Sequence, residues 1–299
     1  MNLRVASGLL LGVLAISWAA IFIRLAKAPA LTTAAWRLVL ASVPLLCWAL
    51  VKHRRELAAL GARGFAPLVL SGVALAVHFG TWVSSLDYTS VASSVAIVTT
   101  TPIWVSLVER PPKRTVIGMV IAMAGTIVIA GTDFAVDPRA LLGDALALVG
   151  AWCAATYLGI GKQVRARLGV GPYVGVVYPV AGVCLVLAAL VAGAPLGGLS
   201  SAQWGWLVLL AFVPQLIGHS LLNWSLEHVS AALVAIAILG EPIFSTLLAI
   251  PILGEVPDAS RVAGAAVVLA GVGIAAWSEA NRPKETSVPA AAAHDAHGV

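Results

Sequence analysis

Apolar runs about as long as a bilayer-crossing helix follow one another along this chain of 299 residues. A helix needs about 20 apolar residues to cross the hydrocarbon core. Charged residues make up 10% of the chain, against about 25% in a soluble domain, so much of the apolar surface must face lipid. We expect an all-α membrane protein whose spans 1 to 10 cover residues 6–26, 34–51, 65–85, 90–108, 114–131, 141–160, 172–193, 204–225, 230–252 and 260–278.

The distribution of Lys and Arg predicts the orientation of these spans. Of the 18 Lys and Arg residues, 13 lie on the side of the N-terminus and 5 on the other side, where Arg37 is counted at the edge of span 2. Positive residues stay on the cytoplasmic side, so we expect both termini in the cytoplasm and the protein in the plasma (inner) membrane. Residues 279–299 lose the apolar character and predict a disordered cytoplasmic tail.

The second half of the chain resembles the first. The segment from Ser85 aligns without gaps on the segment from Ser225, and this alignment places Pro102 opposite Pro242. Several further pairs occur in the same order in both halves, which indicates a duplication. These pairs are Trp18 with Trp152, Asp87 with Glu227, Gly118 with Gly264, and Gly125 with Gly271.

Each copy of the repeat contains an odd number of spans. We assign the first repeat to residues 1–131 and the second to residues 140–278, with five spans in each. The second copy must then enter the membrane from the opposite face, so the two copies are inverted. Inverted repeats are common among secondary transporters, whose sites lie at the repeat interface near the bilayer midplane. The repeat therefore predicts two pseudo-symmetric states, one open to each side.

The sequence resembles a known family over about residues 6–278. Five soft motifs carry the resemblance: SWAAIFIRLAKA in span 1, AWRLVLAS in span 2, SLDYTSVASS before span 4, GEPIFSTLLAIPILGE in span 9 and VAGAAVVLAGVGI in span 10. Together they resemble the ten-helix EamA-like branch of the drug/metabolite transporter superfamily. The resemblance implies a multi-pass transporter of a small metabolite, such as an amino acid or a related compound, that works in efflux.

Span 4 departs from the family pattern. Glu109 follows Pro102 by seven positions, whereas Glu255 follows Pro242 by thirteen. The helix that follows the first proline is therefore expected to be the shorter one.

Polar side chains inside membrane spans are costly, so each is a candidate for function. Span 8 carries Gln215, His219 and Asn223 at a spacing of four, which places them on one helix face. Span 3 carries His78 and Trp82 on one face. We interpret these five residues as the lining of a substrate cavity. Hydroxyl groups often bond between helices instead, and we assign that structural role to Ser85, Ser90, Ser94 and Thr101.

Two aligned pairs have two interpretations each. Trp18 and Trp152 lie away from the membrane interfaces, where they either fill the core or form walls of the cavity. Pro102 and Pro242 are expected in mid-helix, in spans 4 and 9, where each removes a backbone hydrogen bond. The resulting kinks are either structural or hinges of a moving bundle.

Small residues give spans 5 and 10 a face suited to close packing. Gly118 and Gly125 lie on this face in span 5, and Gly264 and Gly271 lie on it in span 10. We expect tight helix packing there, in a monomer or a weak homodimer.

Glu241 is an acid near the middle of span 9. An ionised acid at a helix centre costs about 2.5–3.5 kcal/mol on insertion scales, so it should be neutral or paired. No Lys or Arg is expected at a similar depth, which leaves His219 or His78 as its partner. Because Glu241 aligns with Thr101, the site is asymmetric, and Glu241 is a candidate for proton coupling. Alternatively, a protonated Glu241 bonds a carbonyl that Pro242 leaves free.

Signatures of enzymes and of bound cofactors are missing. The chain has no Walker A sequence, no HExxH, no GxSxG and no Asp-rich pair, so we expect no cofactor, no metal, and transport driven by a gradient. The net charge is +5, and the basic residues cluster in short loops. This distribution favours membrane lipid and a small-molecule substrate as partners and not nucleic acid. Two alternatives stay open: an intramembrane enzyme that uses His78, His219 and Glu241 on a lipid, and a passive channel.

Overall fold

The computed structural model describes residues 1–89, 94, 97–130, 138–254 and 259–281. All regular secondary structure in these ranges is helical. Within the same ranges, eight helical segments are long and apolar enough to cross a membrane. They are Leu3–Ala26, Ala30–Lys52, Gly61–Ser85, Pro138–Arg165, Val170–Val191, Ser201–Ser225, Ala231–Ile252 and Val262–Ala280.

Two of the ten predicted spans, spans 4 and 5, are not among these eight segments. Span 4 includes residues outside the described ranges, and its described helix, Thr101–Glu109, has 9 residues. Span 5 corresponds to Lys113–Ala130, a helix of 18 residues. The all-helical, multi-span architecture is therefore confirmed, whereas the number ten stays a prediction. Ser90 and residues 282–299 of the predicted tail also lie outside the described residues.

Breaks and short connections divide the described chain into helices, which we number in chain order. The helices are α1 (Leu3–Ile16), α2 (Ala19–Ala26), α3 (Ala30–Lys52), α4 (Arg54–Ala59), α5 (Gly61–Ser85), α6 (Thr101–Glu109), α7 (Lys113–Ala130), α8 (Pro138–Arg165), α9 (Val170–Val191), α10 (Ser201–Leu210), a π-helical segment (Ala211–His219), α11 (Ser220–Ser225), α12 (Ala231–Ile238), α13 (Glu241–Leu253) and α14 (Ala259–Ala280). The interruptions therefore fall inside predicted spans 1, 4, 8 and 9.

Two prolines start helices instead of bending them. Pro102 and Pro242 lie in the first turn of α6 and α13. A proline is tolerated there because the first N–H groups of a helix have no intrahelical partner. The prediction that both prolines lie in mid-helix was wrong, since the chain forms a turn just before each of them, at Thr100 and Gly240. Their role as hinges stays a prediction.

Glycines let α7 and α14 pack closely together. A Cβ atom built on Gly118 would lie 2.6 Å from the carbonyl oxygen of Gly271, and one on Gly125 would lie 2.7 Å from that of Gly264. Because real Cβ atoms essentially never come so close, the contact depends on the missing side chains. The prediction of tight packing is confirmed, and the two glycine faces are occupied within the chain.

The other long helices pack in pairs that match across the two predicted repeats. α3 packs on α9, which pairs spans 2 and 7, and α6 packs on α12, which pairs spans 4 and 9. α5 packs on α8, and α1 packs on the π-helical segment. These last two contacts pair span 3 with span 6 and span 1 with span 8, which are equivalent pairs if the repeats exchange places.

Candidate binding cavity

A cavity of about 650 Å³ lies between helices of both halves. Its wall includes Arg24, Leu86 and Ile129, which lie at helix ends on the face opposite the N-terminus. Towards the N-terminal face, the lining reaches Tyr157 and Asn223. The cavity therefore extends from the middle of the bundle towards the face away from the N-terminus.

An ion pair between the buried Arg165 and the half-exposed Glu227 joins helices beyond the inner end of the cavity. Arg165, at the end of α8, is 2% exposed, and its Nη2 lies 2.5 Å from Oε2 of Glu227. Its Nε donates to the carbonyl oxygen of Asn223 at 3.1 Å, and its Nη1 donates to that of Leu168. These bonds tie α8 to the turn that follows α11.

Further charged groups fix the start of α12 on the same face. Glu109 accepts hydrogen bonds from the N–H groups of Ala231 and Ala232 at 3.0 and 2.8 Å. Glu279 accepts one from the N–H of Ser230 at 3.1 Å. Acids are favourable at a helix N-terminus because its N–H groups carry partial positive charge. We call the four residues Glu109, Arg165, Glu227 and Glu279 the closing cluster.

The cavity wall contains a buried arginine. Arg37 lies about two turns into α3 and is 2% exposed. Its Nε donates to Oε1 of Gln215 at 2.7 Å, and its guanidinium carbon lies 4.1 Å from the ring centroid of Phe79. The terminal nitrogens Nη1 and Nη2 have no hydrogen-bond partner among the described residues and are not fully enclosed. Because Arg37 lines the cavity, these donors are candidates for contact with a ligand there.

Glu241 lies in the same cavity, in the first turn of α13. Its carboxyl group forms no hydrogen bond or direct ion pair with any residue that the structure describes, but it interacts electrostatically with Arg37. The expectation that no Lys or Arg shares its depth was therefore wrong. The error arose because α3 begins at Ala30, four residues before the predicted start of span 2, which moves Arg37 from the edge to the interior.

The predicted histidines and Trp82 share the cavity wall. His78 donates from Nδ1 to the carbonyl oxygen of Gly150 at 2.9 Å, and its ring stacks on Trp82 at a centroid distance of 6.0 Å. His219 meets Phe79 edge-on at 5.4 Å. Phe79 therefore contacts both the Arg37 guanidinium and the His219 ring.

The polar stripe predicted on span 8 is divided in the structure. Asn223 and His219 line the cavity, whereas Gln215 is not part of the lining and supports Arg37 from behind. Asn223 donates from Nδ2 to the hydroxyl of Tyr157 at 2.5 Å. The stripe is divided because the π-helical segment, which contains Pro214, has a wider turn than the α-helix assumed from the spacing.

The two predicted central tryptophans are not part of the described lining. Trp18 lies at the break before α2 and stacks on Phe22 at 5.4 Å. Trp152 is 44% exposed and meets Trp104 edge-on at 5.4 Å. A role of Trp18 or Trp152 in substrate binding stays a prediction.

Hydroxyl groups serve the structural role expected of them at the described positions. The hydroxyls of Ser85 and Ser94 lie 2.6 Å apart. Thr101 donates to the carbonyl oxygen of Val98 at 2.8 Å and is 3.4 Å from that of Ala151 in α8. These contacts join segments of the bundle, as the structural interpretation expects, and Thr101 also lines the cavity.

Sequence reasoning missed Arg37, Phe79 and Tyr157, which all line the cavity. The uncharged stretch from Ala30 to Trp36 was the available signal for Arg37, since it allows the helix to start earlier. Phe79 and Tyr157 lie in apolar surroundings, and nothing in the local sequence sets them apart.

Comparisons with known proteins show the family of this chain. The model of the EamA-like transporter family matches residues 5–131 and again residues 141–277. An uncharacterized transporter of Archaeoglobus fulgidus is 24% identical over 279 residues, which cover 88% of this chain and 95% of that protein. A solved structure, titled only as the crystal structure of a protein, has a TM-score of 0.74 at 19% identity, and the match covers 92% of this chain and 98% of the other. This last similarity shows a shared fold.

Proposed function

Because the chain belongs to the EamA-like transporter family, we propose that this membrane transporter is a secondary active carrier of a small metabolite, an amino acid or a related compound. The observation that carries the proposal is the cavity, which extends towards one face while the closing cluster joins the helices at the other. A carrier that works by alternating access requires such a state. The opposite state would break the closing cluster and close the wall around Arg24 and Leu86.

The proposed mechanism rests on two inverted repeats of five spans. It is supported by the two family matches, whose bounds lie close to the predicted repeats at 1–131 and 140–278. The helix pairing also supports it, since the pair of spans 3 and 6 corresponds to the pair of spans 1 and 8. In an inverted repeat each half can adopt the conformation of the other half, which produces the two states.

The proposed direction of transport is export across the plasma membrane, with both termini in the cytoplasm. The excess of Lys and Arg on the N-terminal side supports this orientation. The cavity then opens to the outside, as in the state that releases an exported substrate. A reporter that is active only outside the cell should stay silent when fused after Trp277, and activity there would contradict the orientation.

We assign the coupling role to Glu241, which is proposed to exchange a proton during the transport cycle. Its position in the cavity and its lack of a hydrogen-bond partner among the described residues support this assignment. A carboxyl group already engaged by the backbone would be less accessible to a proton from the cavity.

Counterflow in liposomes tests the proposal against its alternatives. The full chain is reconstituted with an unlabelled mixture of amino acids and related metabolites inside, and uptake of the labelled mixture is followed. A carrier gives saturable uptake that depends on the internal mixture. A channel gives flux that does not saturate, and an intramembrane enzyme gives a chemically changed lipid without counterflow. Either of these two results would overturn the proposal.

A further inference from the structure

We propose that Arg37 binds the carboxylate of a zwitterionic substrate whose ammonium group faces Glu241. The inference rests on the proposed function and names the substrate class of that same cavity. Two charged residues with opposite signs line one space, and the ligand is assigned to the gap between them.

Arg37 is held in a fixed geometry with its binding edge free. Gln215 holds Nε at 2.7 Å, and the Phe79 ring holds the guanidinium plane at 4.1 Å. A guanidinium carries five N–H donors, and only the one on Nε is used by a described partner. The remaining donors match a carboxylate, which guanidinium groups bind through two parallel hydrogen bonds.

Gln215 is the positioning residue for this arginine. It is 0% exposed, and its Nε2 has no hydrogen-bond partner among the described residues. A buried amide without a partner for its donor costs free energy, so its presence behind Arg37 requires an explanation. Holding Arg37 in place provides one, because an amide oxygen accepts the Nε–H without adding a negative charge beside the guanidinium group.

Glu241 decides between a carboxylate and a phosphate as the anionic group. A phosphate carries up to two negative charges and would be repelled by an ionised acid in the same cavity. A zwitterion instead places its ammonium group near Glu241 while its carboxylate meets Arg37. No direct ion pair joins these two described residues, which leaves the gap between them for the ligand.

The rest of the wall indicates an apolar side chain on the substrate. Phe79, Trp82, Leu75 and Ile238 line the cavity with apolar surface, and such walls favour apolar ligand groups with few polar anchors. The substrate class is therefore an amino acid with an apolar or aromatic side chain.

Thermal-shift measurements on the full, detergent-solubilised chain test this assignment without any mutation. The probes are an equimolar mixture of leucine, isoleucine, valine, methionine, phenylalanine and tryptophan, the mixture of their carboxamides, and the mixture of their deaminated acids. The free amino acids should raise the melting temperature, and each of the other two mixtures should need at least about tenfold higher concentration for the same shift. Equal shifts from the carboxamides, or no shift from the free amino acids, would overturn the proposal.

Two substitutions test the role of Arg37 itself. Arg37→Lys keeps the charge but loses the two-pronged geometry, and Gln215→Glu keeps the acceptor but neutralises the guanidinium. Each should weaken the shift by the free amino acids at least about tenfold, while the deaminated acids should bind no better. Arg114→Lys is the matched control, because Arg114 also lies over an aromatic ring, 4.9 Å from the centroid of Trp277, but is exposed and outside the cavity lining.

The outcomes separate this inference from the proposed function. If both variants fold and the free amino acids raise their melting temperatures as much as that of the wild type, Arg37 is not part of the binding site. If neither variant folds, the comparison of the three wild-type mixtures still decides. If other metabolites show counterflow but the thermal shift does not depend on the carboxyl group of the ligand, the carrier proposal stands and the substrate assignment is overturned. If no metabolite shows counterflow, the carrier proposal is overturned.

Discussion

The helices α6 and α13 occupy equivalent places in the two predicted repeats, yet they differ in the residue before the proline. Thr101 precedes Pro102, and its hydroxyl donates to the carbonyl oxygen of Val98 at 2.8 Å, the group that a proline four residues later leaves without its backbone donor. Glu241 precedes Pro242 and has no hydrogen-bond partner among the described residues. Both halves have a helix break before a proline, but the side chain at that break differs.

This difference shows that the helix break does not by itself determine which side chain precedes the proline. Both breaks place a turn just before a proline-started helix, at Thr100 and Gly240. In the first half the hydroxyl of Thr101 satisfies the backbone locally, and the residue, which also lines the cavity, is 8% exposed. In the second half a longer acidic side chain lines the same cavity and has no hydrogen-bond partner among the described residues. The break alone therefore does not explain the carboxyl group of Glu241, which points to a role in transport.

The largest effect is expected from Glu241→Gln. The amide keeps the shape of the side chain but cannot exchange a proton, so accumulation driven by a pH gradient should fall at least about tenfold. Exchange of substrate across the membrane should persist at saturating substrate concentration, although the loss of the carboxylate that faces the ammonium group should weaken substrate binding. Uptake of the amino-acid mixture into liposomes, with and without a pH gradient, measures both. Glu56→Gln is the control, since Glu56 is exposed and pairs with His53 at 3.0 Å outside the cavity. Unchanged, gradient-driven accumulation by Glu241→Gln would refute the coupling role.

A smaller but symmetric loss is expected where the halves are alike. Gly271→Ala would place a Cβ atom 2.4 Å from the backbone nitrogen of Ala122, and Gly118→Ala would place one 2.6 Å from the carbonyl oxygen of Gly271. Because backbone must move apart, each should destabilise the fold by about 1–3 kcal/mol, seen as a lower melting temperature. Gly159→Ala, which meets nothing within 4 Å, should be neutral or slightly stabilising. A loss in only one of the two helices would argue against equivalent roles.

A further effect, confined to transport, is expected from His219→Ala. His219 lines the cavity and meets Phe79 edge-on at 5.4 Å, a contact of about 0.5–1.5 kcal/mol. Transport should fall by about twofold to tenfold while the yield of folded protein stays near that of the wild type. If yield and melting temperature fall together with transport, the residue serves packing and not the substrate.

How far sequence reasoning reaches is shown by neighbouring residues in the same wall. Glu241, His78 and His219 could be selected because polar groups in apolar runs are conspicuous, and the close glycine packing could be read from spacing alone. Arg37 was missed because a helix start cannot be placed to within a few residues, and one turn separates an edge residue from a buried one. Sequence reasoning could also not predict that His219 lines the cavity whereas Gln215 does not. The predicted helix face assumes an α-helix, but the segment around Pro214 is π-helical.

The smallest effect is expected from Thr101→Val, which removes the hydroxyl and keeps the shape. The lost hydrogen bond to the Val98 carbonyl should cost about 0.5–1 kcal/mol of stability, at the low end because Val98 lines the cavity and water can replace the donor. Gradient-driven transport per folded molecule should stay unchanged, in contrast to Glu241→Gln. Melting temperature and counterflow measured on the same preparation check both parts, with Thr101→Ser as the control that keeps the hydroxyl. If Thr101→Val abolishes accumulation as Glu241→Gln does, both helix breaks are needed for gradient-driven transport. The asymmetry between Thr101 and Glu241 is then not functional.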